Sequence, residues 1–215
     1  MVSSRDAARP GLSPKVGVLA LQGDVGEHLS VLAQLGASAV PVRRPSDLEG
    51  VQGLVLPGGE STAISLLLAS SDLLPGLEKL VADGMPMLGT CAGMIILSRQ
   101  ILDGRPDQVS LGAIDLVVRR NAFGRQLESF EMELPVVGID GGPMHAVFIR
   151  APIVESTGPG VEVLASVPLD RDAGAPAHPV VCRQGAVIVA AFHPELSGDG
   201  RLHQMLLAEI EAEGG

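Results

Sequence analysis

The chain of 215 residues contains only two cysteines, no tryptophan, no tyrosine and four phenylalanines. Cys91 and Cys182 lie far apart, and neither belongs to a C-x-x-C pair. Disulfide frameworks and structural zinc sites need several cysteines at characteristic spacings. The sequence therefore favours neither of them, and it predicts no metal site.

Basic clusters and long hydrophobic runs are also absent. At most two arginines are adjacent and the net charge is −10, so a nucleic-acid backbone would be repelled. No segment approaches the roughly 20 apolar residues that cross a bilayer. Residues 1–14 contain no continuous apolar segment, so we expect a mobile tail there and no secretory signal. These features predict a soluble, cytoplasmic protein without nucleic-acid or membrane partners.

Short apolar runs alternate with amphipathic segments through the first half of the chain. Strands are predicted at residues 16–21, 37–42, 53–56 and 85–88, and helices at residues 26–35, 63–69, 72–81 and 94–101. This order is typical of a single α/β domain, doubly wound, with a mostly parallel, flavodoxin-like sheet and helices on both faces.

The second half of the chain has a different pattern, because strands predominate after residue 110. They are predicted at residues 111–118, 146–149, 161–167, 180–183 and 186–192, with Gln184 and Gly185 turning the last two into a hairpin. A final helix is predicted at residues 201–213. The sequence shows no repeat and no clear linker, so we expect residues 15–215 to form one domain.

Cys91 lies in the stretch GTCAG, at the junction between a predicted strand and a predicted helix. This is the G-x-nucleophile-x-G form of a nucleophile elbow. The glycines permit a cramped turn, and the start of a helix favours a thiolate. The N–H of Ala92 would then point at an oxyanion. A buried structural cysteine in a glycine-rich turn is the alternative interpretation.

His193 follows a predicted strand, and Glu195 lies two residues later in the stretch AFHPE. A carboxylate beside such a histidine can fix its tautomer, so that the ring exchanges a proton near neutral pH. Alone, the pair would be interpreted as a surface histidine beside a solvated glutamate. In combination with Cys91 it predicts a Cys–His–Glu triad.

The stretch PGGEST, residues 57–62, also ends a predicted strand. It lacks the lysine of a nucleotide P-loop, but its glycines would let the N–H of Gly59 approach a ligand as a second oxyanion donor. Ser61 is predicted to cap the next helix, and an ordinary turn with a helix cap is the alternative interpretation.

Two arginines lie beside apolar and aromatic residues, Arg120 in RRNAFGR and Arg150 in VFIRAP. A substrate carboxylate would supply the anion that an arginine in such surroundings needs. For either arginine alone, an internal salt bridge is at least as good an interpretation.

Together these motifs resemble those of the class I (triad) glutamine amidotransferases. GTCAG and HPE are typical of the whole class, whereas ALQGD, PGGES, RNAFGRQ and FIRAP, in that order, are similar to one subfamily. That subfamily comprises the glutaminase subunits of pyridoxal 5′-phosphate synthase. The resemblance extends from Val16 to Leu207, which is nearly the whole chain.

The resemblance implies a reaction and a partner. L-Glutamine would be hydrolysed to L-glutamate and ammonia through a glutamyl thioester on Cys91, while His193 moves the protons and Glu195 orients that histidine. A separate synthase subunit would receive the ammonia and build pyridoxal 5′-phosphate, or vitamin B6. No metal or organic cofactor is implied, because pyridoxal phosphate is the product of the partner.

The same resemblance implies the substrate-binding positions. Those for glutamine are Gly59, Glu60, Ser61, Arg120, Ile149 and Arg150, and the oxyanion donors are the backbone amides of Gly59 and Ala92.

Two other functions are compatible with parts of the pattern. An α/β-hydrolase with a cysteine elbow would carry its acid long before the histidine in the chain, whereas Glu195 follows His193. A non-catalytic regulatory or stress protein with a reactive cysteine would be free to lose His193, Glu195, Arg120 and Arg150, and all four are present. The residues therefore favour a glutaminase.

Overall fold

The computed structural model describes residues 13–120, 129–168 and 177–214. The expected tail lies outside these ranges up to residue 12, as do residues 121–126 of the RNAFGRQ motif. The strands are β1 (Lys15–Leu19), β2 (Ser38–Val42), β3 (Gly53–Leu56), β4 (Met87–Thr90), β5 (Ser98–Ile101), β6 (Ile114–Arg119), β7 (Ser129–Leu134), β8 (Met144–Ile149), β9 (Ile153–Thr157), β10 (Glu162–Pro168), β11 (Ala177–Gln184) and β12 (Val187–Ala190). The helices are α1 (Val25–Gln34), α2 (Ser61–Ser70), α3 (Leu74–Ala82), α4 (Ala92–Leu97) and α5 (Arg201–Glu213).

The central sheet has seven strands in the order β10-β11-β12-β4-β3-β1-β2. All pairs from β12 to β2 are parallel, and β10 and β11 extend the sheet as antiparallel strands. The order β2-β1-β3-β4-β12 is that of a flavodoxin-like sheet, in which the strand order reverses between β1 and β3. The predicted doubly wound, mostly parallel sheet is therefore confirmed.

Helices cover both faces of this sheet, as the residues at the end of β4 show. Added bulk at Gly89 would collide with Gly93 and Leu97 of α4, whereas the hydroxyl of the next residue, Thr90, lies 3.2 Å from the ring of His28 in α1. Successive residues of a strand face opposite sides, so α4 and α1 lie on opposite faces. The strands β3, β4 and β12 are buried along their whole length, which explains their continuous apolar sequences.

Two smaller sheets complete the fold. One has the order β5-β6-β9 and the other pairs β7 with β8 in an antiparallel ladder. The sequence did not indicate β7 or β9. The predicted hairpin near the C-terminal end exists, but its turn is Gly185-Ala186, because Gln184 still pairs with Val187.

A helix exists near the predicted residues 94–101, but its predicted bounds were wrong. Helix α4 begins at Ala92 and ends at Leu97, and the chain then enters β5. The hydroxyl of Ser98 donates to the carbonyl of Met94 at 2.7 Å, which satisfies one of the last carbonyls of the helix. Pairing of β5 with β6 then outweighs the helical preference of the next residues.

Among the described residues, none of the helices combines the length and the apolar character that crossing a membrane requires.

Gly93 tests how tightly α4 packs on the sheet. A Cβ there would overlap with the carbonyl oxygen of Leu56 in β3, whereas a Cβ at Gly26, in α1, would meet nothing within 4 Å. We expect Gly93→Ala to lower the free energy of unfolding by about 1–3 kcal/mol, the usual range for overpacking. Gly26→Ala should raise it by up to about 1 kcal/mol, because alanine favours the helix. Urea denaturation measures both, and equal effects would contradict this packing.

Candidate active site

Four parallel strands deliver polar residues to one edge of the sheet. Gln22 follows β1, Glu60 follows β3, Cys91 follows β4 and His193 follows β12. The side-chain oxygen of Gln22 accepts a hydrogen bond from the backbone N–H of Glu60 at 2.6 Å, so the loops after β1 and β3 are joined. This is the crevice where the strand order reverses, which is the usual ligand site of such sheets.

Cys91 occupies a strained turn between β4 and α4. Its φ is +48° and its ψ is −103°, a conformation that non-glycine residues avoid at a cost of about 1–3 kcal/mol. Its N–H donates to the carbonyl of Ala190 at 2.8 Å, and its Sγ lies 3.9 Å from the carbonyl oxygen of Ile149. The cysteine is 6% exposed, so only a small part of the thiol side chain faces the cavity.

His193 is held from three sides. Its N–H donates to the carbonyl of Val147 at 2.9 Å, and its Nδ1 lies 2.8 Å from Oε1 of Glu195. The ring also packs directly over Gly58, where any Cβ would collide with it. A short 3₁₀ turn at Pro194–Leu196 places Glu195 under the ring. The interpretation of His193 as a surface histidine is therefore wrong.

The pKa values of His193 and Glu195 depend on their close contacts. Burial alone would lower the pKa of His193, but its interactions with Cys91 and Glu195 outweigh burial and raise that pKa to about 10. Burial alone would raise the pKa of Glu195, but its interactions with His193 and His28 lower it to about 2. At neutral pH, a protonated ring thus lies between the cysteine and an ionised carboxylate.

A cavity of about 270 Å³ opens above this group. It brings together most of the residues that the sequence singled out as glutamine-binding or catalytic, and the shared lining consists of Gly59, Glu60, Ser61, Cys91, Arg120, Ile149, Arg150 and His193. Glu195 lies behind His193, and Ala92 is the first residue of α4. The N–H groups of Gly59 and Ala92 take part in no cap, turn or side-chain hydrogen bond within the described ranges.

The guanidinium of Arg120 donates to neutral groups, whereas its backbone N–H donates to Oδ1 of Asp103 at 2.7 Å. Its Nη1 donates to Oγ1 of Thr62 at 2.6 Å, to Oε1 of Gln108 at 3.2 Å and to Oγ of Ser61 at 3.3 Å. Its Nε is buried and has no hydrogen-bond partner in the described part of the chain. The internal salt bridge considered from the sequence is instead formed by its neighbour Arg119, with Glu155 at 2.7 Å.

Arg150 also lines the cavity and comes directly after β8. Its φ is +45°, so it shares with Cys91 a backbone conformation that non-glycine residues rarely adopt. Within the described ranges it forms no salt bridge. Both arginines line one small cavity, and within the described ranges neither guanidinium forms a salt bridge, although Glu60 lies close enough to Arg120 to interact with it electrostatically. The pair suits an anionic ligand group.

Glu60, and not Ser61, caps helix α2. Both of its carboxylate oxygens accept backbone hydrogen bonds, from Thr62 at 3.0 Å and from Ala63 at 2.7 Å. Burial alone would raise the pKa of Glu60, but these hydrogen bonds outweigh burial and lower it. The prediction that Ser61 caps the helix was wrong, since Ser61 is the first helical residue and its hydroxyl accepts from Arg120.

Four residues of the lining were missed from the sequence: Gln22, Asp24, Ile95 and Leu196. Gln22 and Asp24 follow β1, so the rule that ligands bind beyond strand ends could have indicated them. Oδ2 of Asp24 lies 3.3 Å from Nδ1 of His193. Ile95 and Leu196 carry no chemical signal, because apolar wall residues resemble any other core residue in a sequence.

Asp24, His193 and Glu195 are also the one group, within the described ranges, whose ligand atoms could converge on a metal ion, all within 4.8 Å of one another. A metal there would have to displace the hydrogen bond between His193 and Glu195. That no metal is needed stays a prediction.

A buried polar network continues behind Glu195. His28 places Nε2 3.4 Å from Oε2 of Glu195 and 3.2 Å from Oγ1 of Thr90. Its Nδ1 lies 2.8 Å from Nε2 of His203 in α5. Burial, with a smaller contribution from His28, lowers the pKa of His203 to about 3, so this ring is neutral in the folded protein at neutral pH.

This buried ring makes stability depend on pH. In the unfolded chain His203 gains a proton below about pH 6.5, whereas in the folded protein it does so only near pH 3. Its contribution to stability is thus complete above pH 6.5, and it is lost on acidification by up to about 1.4 kcal/mol per pH unit. We expect urea denaturation between pH 7.5 and 4 to show a steeper loss for the wild type than for His203→Met. Parallel losses would contradict the assignment.

Comparison with known proteins gives the family. Residues 18–212 match the SNO glutamine amidotransferase family. The pyridoxal 5′-phosphate synthase subunit PdxT of Acidothermus cellulolyticus is 54% identical over 204 residues, which cover 95% of this chain and 97% of that protein. The protein of the same name from Mycobacteroides abscessus is 56% identical over 201 residues, with 94% and 100% covered.

Solved structures agree with these relatives. A crystal structure of a glutamine amidotransferase shares 47% sequence identity and a TM-score of 0.80, covering 91% of this chain and 98% of that one. PurLQS from Thermotoga maritima shares 16% identity and a TM-score of 0.61, with 95% and 100% covered, and shows a likeness of fold alone. Because the family match and the relatives both span most of its length, the chain belongs to the SNO glutamine amidotransferase family.

Proposed function

We propose that this protein hydrolyses L-glutamine to L-glutamate and ammonia, and that it delivers the ammonia to the synthase subunit of pyridoxal 5′-phosphate synthase. The observation that carries the proposal is the buried Cys91–His193–Glu195 group under a cavity with two arginines. A volume of about 270 Å³ suits a ligand of amino-acid size, since pockets for drug-sized molecules start at roughly 300 Å³. The relatives named above provide the identity of the synthase.

The first half of the reaction begins with the thiolate of Cys91, which attacks the carboxamide carbon of glutamine. The carbonyl π bond breaks and leaves a tetrahedral oxyanion, toward which the N–H groups of Gly59 and Ala92 donate. The oxyanion collapses as the C–N bond breaks, and the protonated ring of His193 gives its proton to the departing nitrogen. Ammonia leaves, and a glutamyl thioester with a neutral His193 remains.

The second half reverses the direction of proton transfer. The neutral ring of His193 takes a proton from water while the water oxygen attacks the thioester carbonyl. Collapse of this second oxyanion breaks the C–S bond, so glutamate departs and the thiolate is regenerated beside a protonated ring. Glu195 keeps Nδ1 of His193 protonated throughout, which leaves the other ring nitrogen to exchange the proton.

The substrate is oriented by its charged end. Arg120 and Arg150 receive the α-carboxylate, while Ile149, Glu60 and Ser61 complete the wall around the side chain. The carboxylate of Glu60 caps α2, and this cap fixes the position of the loop that carries Gly59. A cytoplasmic location and the absence of nucleic-acid and membrane partners stay predictions from the sequence.

A nucleophile test compares the two cysteines of the chain. Cys91→Ala should lower glutamate release, measured with the cognate synthase subunit present, by at least about 10⁴-fold, as loss of a triad nucleophile does. Cys182 is fully buried in β11, and burial raises the pKa of its thiol to about 12. Cys182→Ala should therefore keep activity within about twofold, as expected for a packing residue. Activity in the first variant, or its loss in the second alone, would contradict the proposal.

A substrate-binding test uses Arg120. Its loss removes a charge-assisted contact, and such contacts are worth about 1.5–3 kcal/mol. We expect Arg120→Met to raise KM for glutamine about 10- to 100-fold, with a smaller change in kcat. Arg43→Met is the matched control, because Arg43 is exposed and lies outside the cavity lining. A loss of kcat with an unchanged KM would exclude carboxylate binding by Arg120.

A further inference from the structure

The two carboxylate oxygens of Glu195 have different surroundings. Oε1 pairs with Nδ1 of His193 at 2.8 Å, whereas Oε2 is buried and forms no complete hydrogen bond within the described ranges. The polar atom that faces Oε2 is Nε2 of His28, at 3.4 Å. This distance leaves an electrostatic contact that is slightly too long for a good hydrogen bond. Catalytic hydrogen bonds often have such lengths before substrate binds.

The proton positions on His28 follow from its neighbours. If Nε2 were bare, its lone pair would face a buried carboxylate oxygen, and Nδ1–H would donate to His203. His203 would then carry its own proton on Nδ1, which has no partner in the described part of the chain. A buried N–H without an acceptor is rare and costly. In the opposite arrangement His203 donates from Nε2 to Nδ1 of His28, and Nε2–H of His28 points at Glu195. The one atom left unpaired in this pair of rings is then a bare nitrogen, Nδ1 of His203, and not a buried N–H donor.

On the basis of the proposed glutaminase reaction, we propose that His28 is a positioning residue, whose Nε2–H holds the outer oxygen of Glu195 and thereby the orientation of His193. His203 assists by fixing the tautomer of His28. The chain of contacts therefore runs from α5 through α1 to the ring that protonates the leaving ammonia. Neither His28 nor His203 contacts the cavity.

His28 also contacts Thr90, whose hydroxyl binds a residue of the site. Oγ1 of Thr90 lies 3.2 Å from Nε2 of His28 and accepts the N–H of Gly58 at 3.0 Å. Gly58 is the residue over which the ring of His193 packs. The same N–H of His28 thus faces two groups: the carboxylate of Glu195 and the hydroxyl of Thr90, which binds the turn at Gly58.

The groups that set the charge of Glu195 come from several elements. His193 and His28 face its two oxygens directly, and Asp24 faces His193 from the start of α1. His203 contacts His28, Asp199 acts electrostatically on His203, and Cys91 acts on His193. Removing His28 takes away the imidazole that faces Oε2, so ionisation of Glu195 should become harder.

The first test measures which ring nitrogens of the histidines carry a proton, and it does not depend on enzyme activity. Nitrogen-15 NMR of the full chain, with labelled histidine at pH 7.5, should show His28 protonated at Nε2 and bare at Nδ1. His203 should likewise be protonated at Nε2. Spectra of His28→Gln and His203→Met assign the signals. A bare Nε2 on His28 would overturn the proposal.

The second test compares two substitutions of similar shape. His28→Met removes every donor, whereas His28→Gln keeps an N–H near the position of Nε2. With the synthase subunit present, His28→Met should lower kcat about 10- to 100-fold, by analogy with partners that orient metal-binding histidines, and should leave KM nearly unchanged. Glu195 would then orient His193 less firmly, while the arginines that bind glutamine stay in place, so the loss should appear in kcat and not in KM. His28→Gln should recover most of the lost kcat.

Controls separate positioning from simple packing and from failure of the proposed reaction. His178→Met is the matched control, since that half-buried ring contacts the carbonyl of Val154 at 3.2 Å, outside the cavity lining, and its loss should leave kcat and KM unchanged. An equal loss of kcat for His28→Met and His28→Gln would overturn the proposal. If His28→Met does not fold, His203→Met should lower kcat in the same way but by less, and an unchanged kcat in that variant would overturn the proposal. A wild type that releases no glutamate would refute the reaction, while the NMR result would still decide the protonation of His28.

Discussion

The parallel pairing of β4 with β12 is the constraint on which the site depends. The ladder places Thr90 opposite Ala190, and the N–H of Cys91 extends it by one more hydrogen bond to the carbonyl of Ala190. Because both strands end at this point, Cys91 and the loop that carries His193 leave the sheet side by side. A shift of register would move the cysteine away from the histidine, even with both sequences unchanged.

The walls of the cavity are built from strained backbone held in place by tight packing. Cys91 and Arg150 both have positive φ, and in the described part of the chain Asp72 alone shares this feature among non-glycine residues. Close contact between Gly93 and β3 holds the turn at Cys91, and the hydrogen bond from His193 to Val147 attaches β8 to the site. The folded structure thus maintains conformations that the local sequence disfavours.

Electrostatics and burial act together under the cavity. Glu195 is 5% exposed yet remains ionised, because His193 and His28 face it. In turn, the pKa of His193 is raised by Cys91 and Glu195 in spite of burial. A protonated ring beside Cys91 therefore results from a network that spans three histidines, and its outermost member, His203, is neutral because it is buried in α5.

The sequence by itself determined the doubly wound sheet, the elbow at Cys91 and the last helix, Arg201–Glu213, whose bounds were predicted correctly. These features depend on apolar periodicity and on glycines at turns, which are local signals. Only the tertiary structure decided that α4 ends at Leu97, that Glu60 caps α2, and that Asp24 faces His193. It alone joined His28 to His203, which lie 175 residues apart in the chain. Such contacts leave no periodic or local pattern, because they arise only when separate elements pack together.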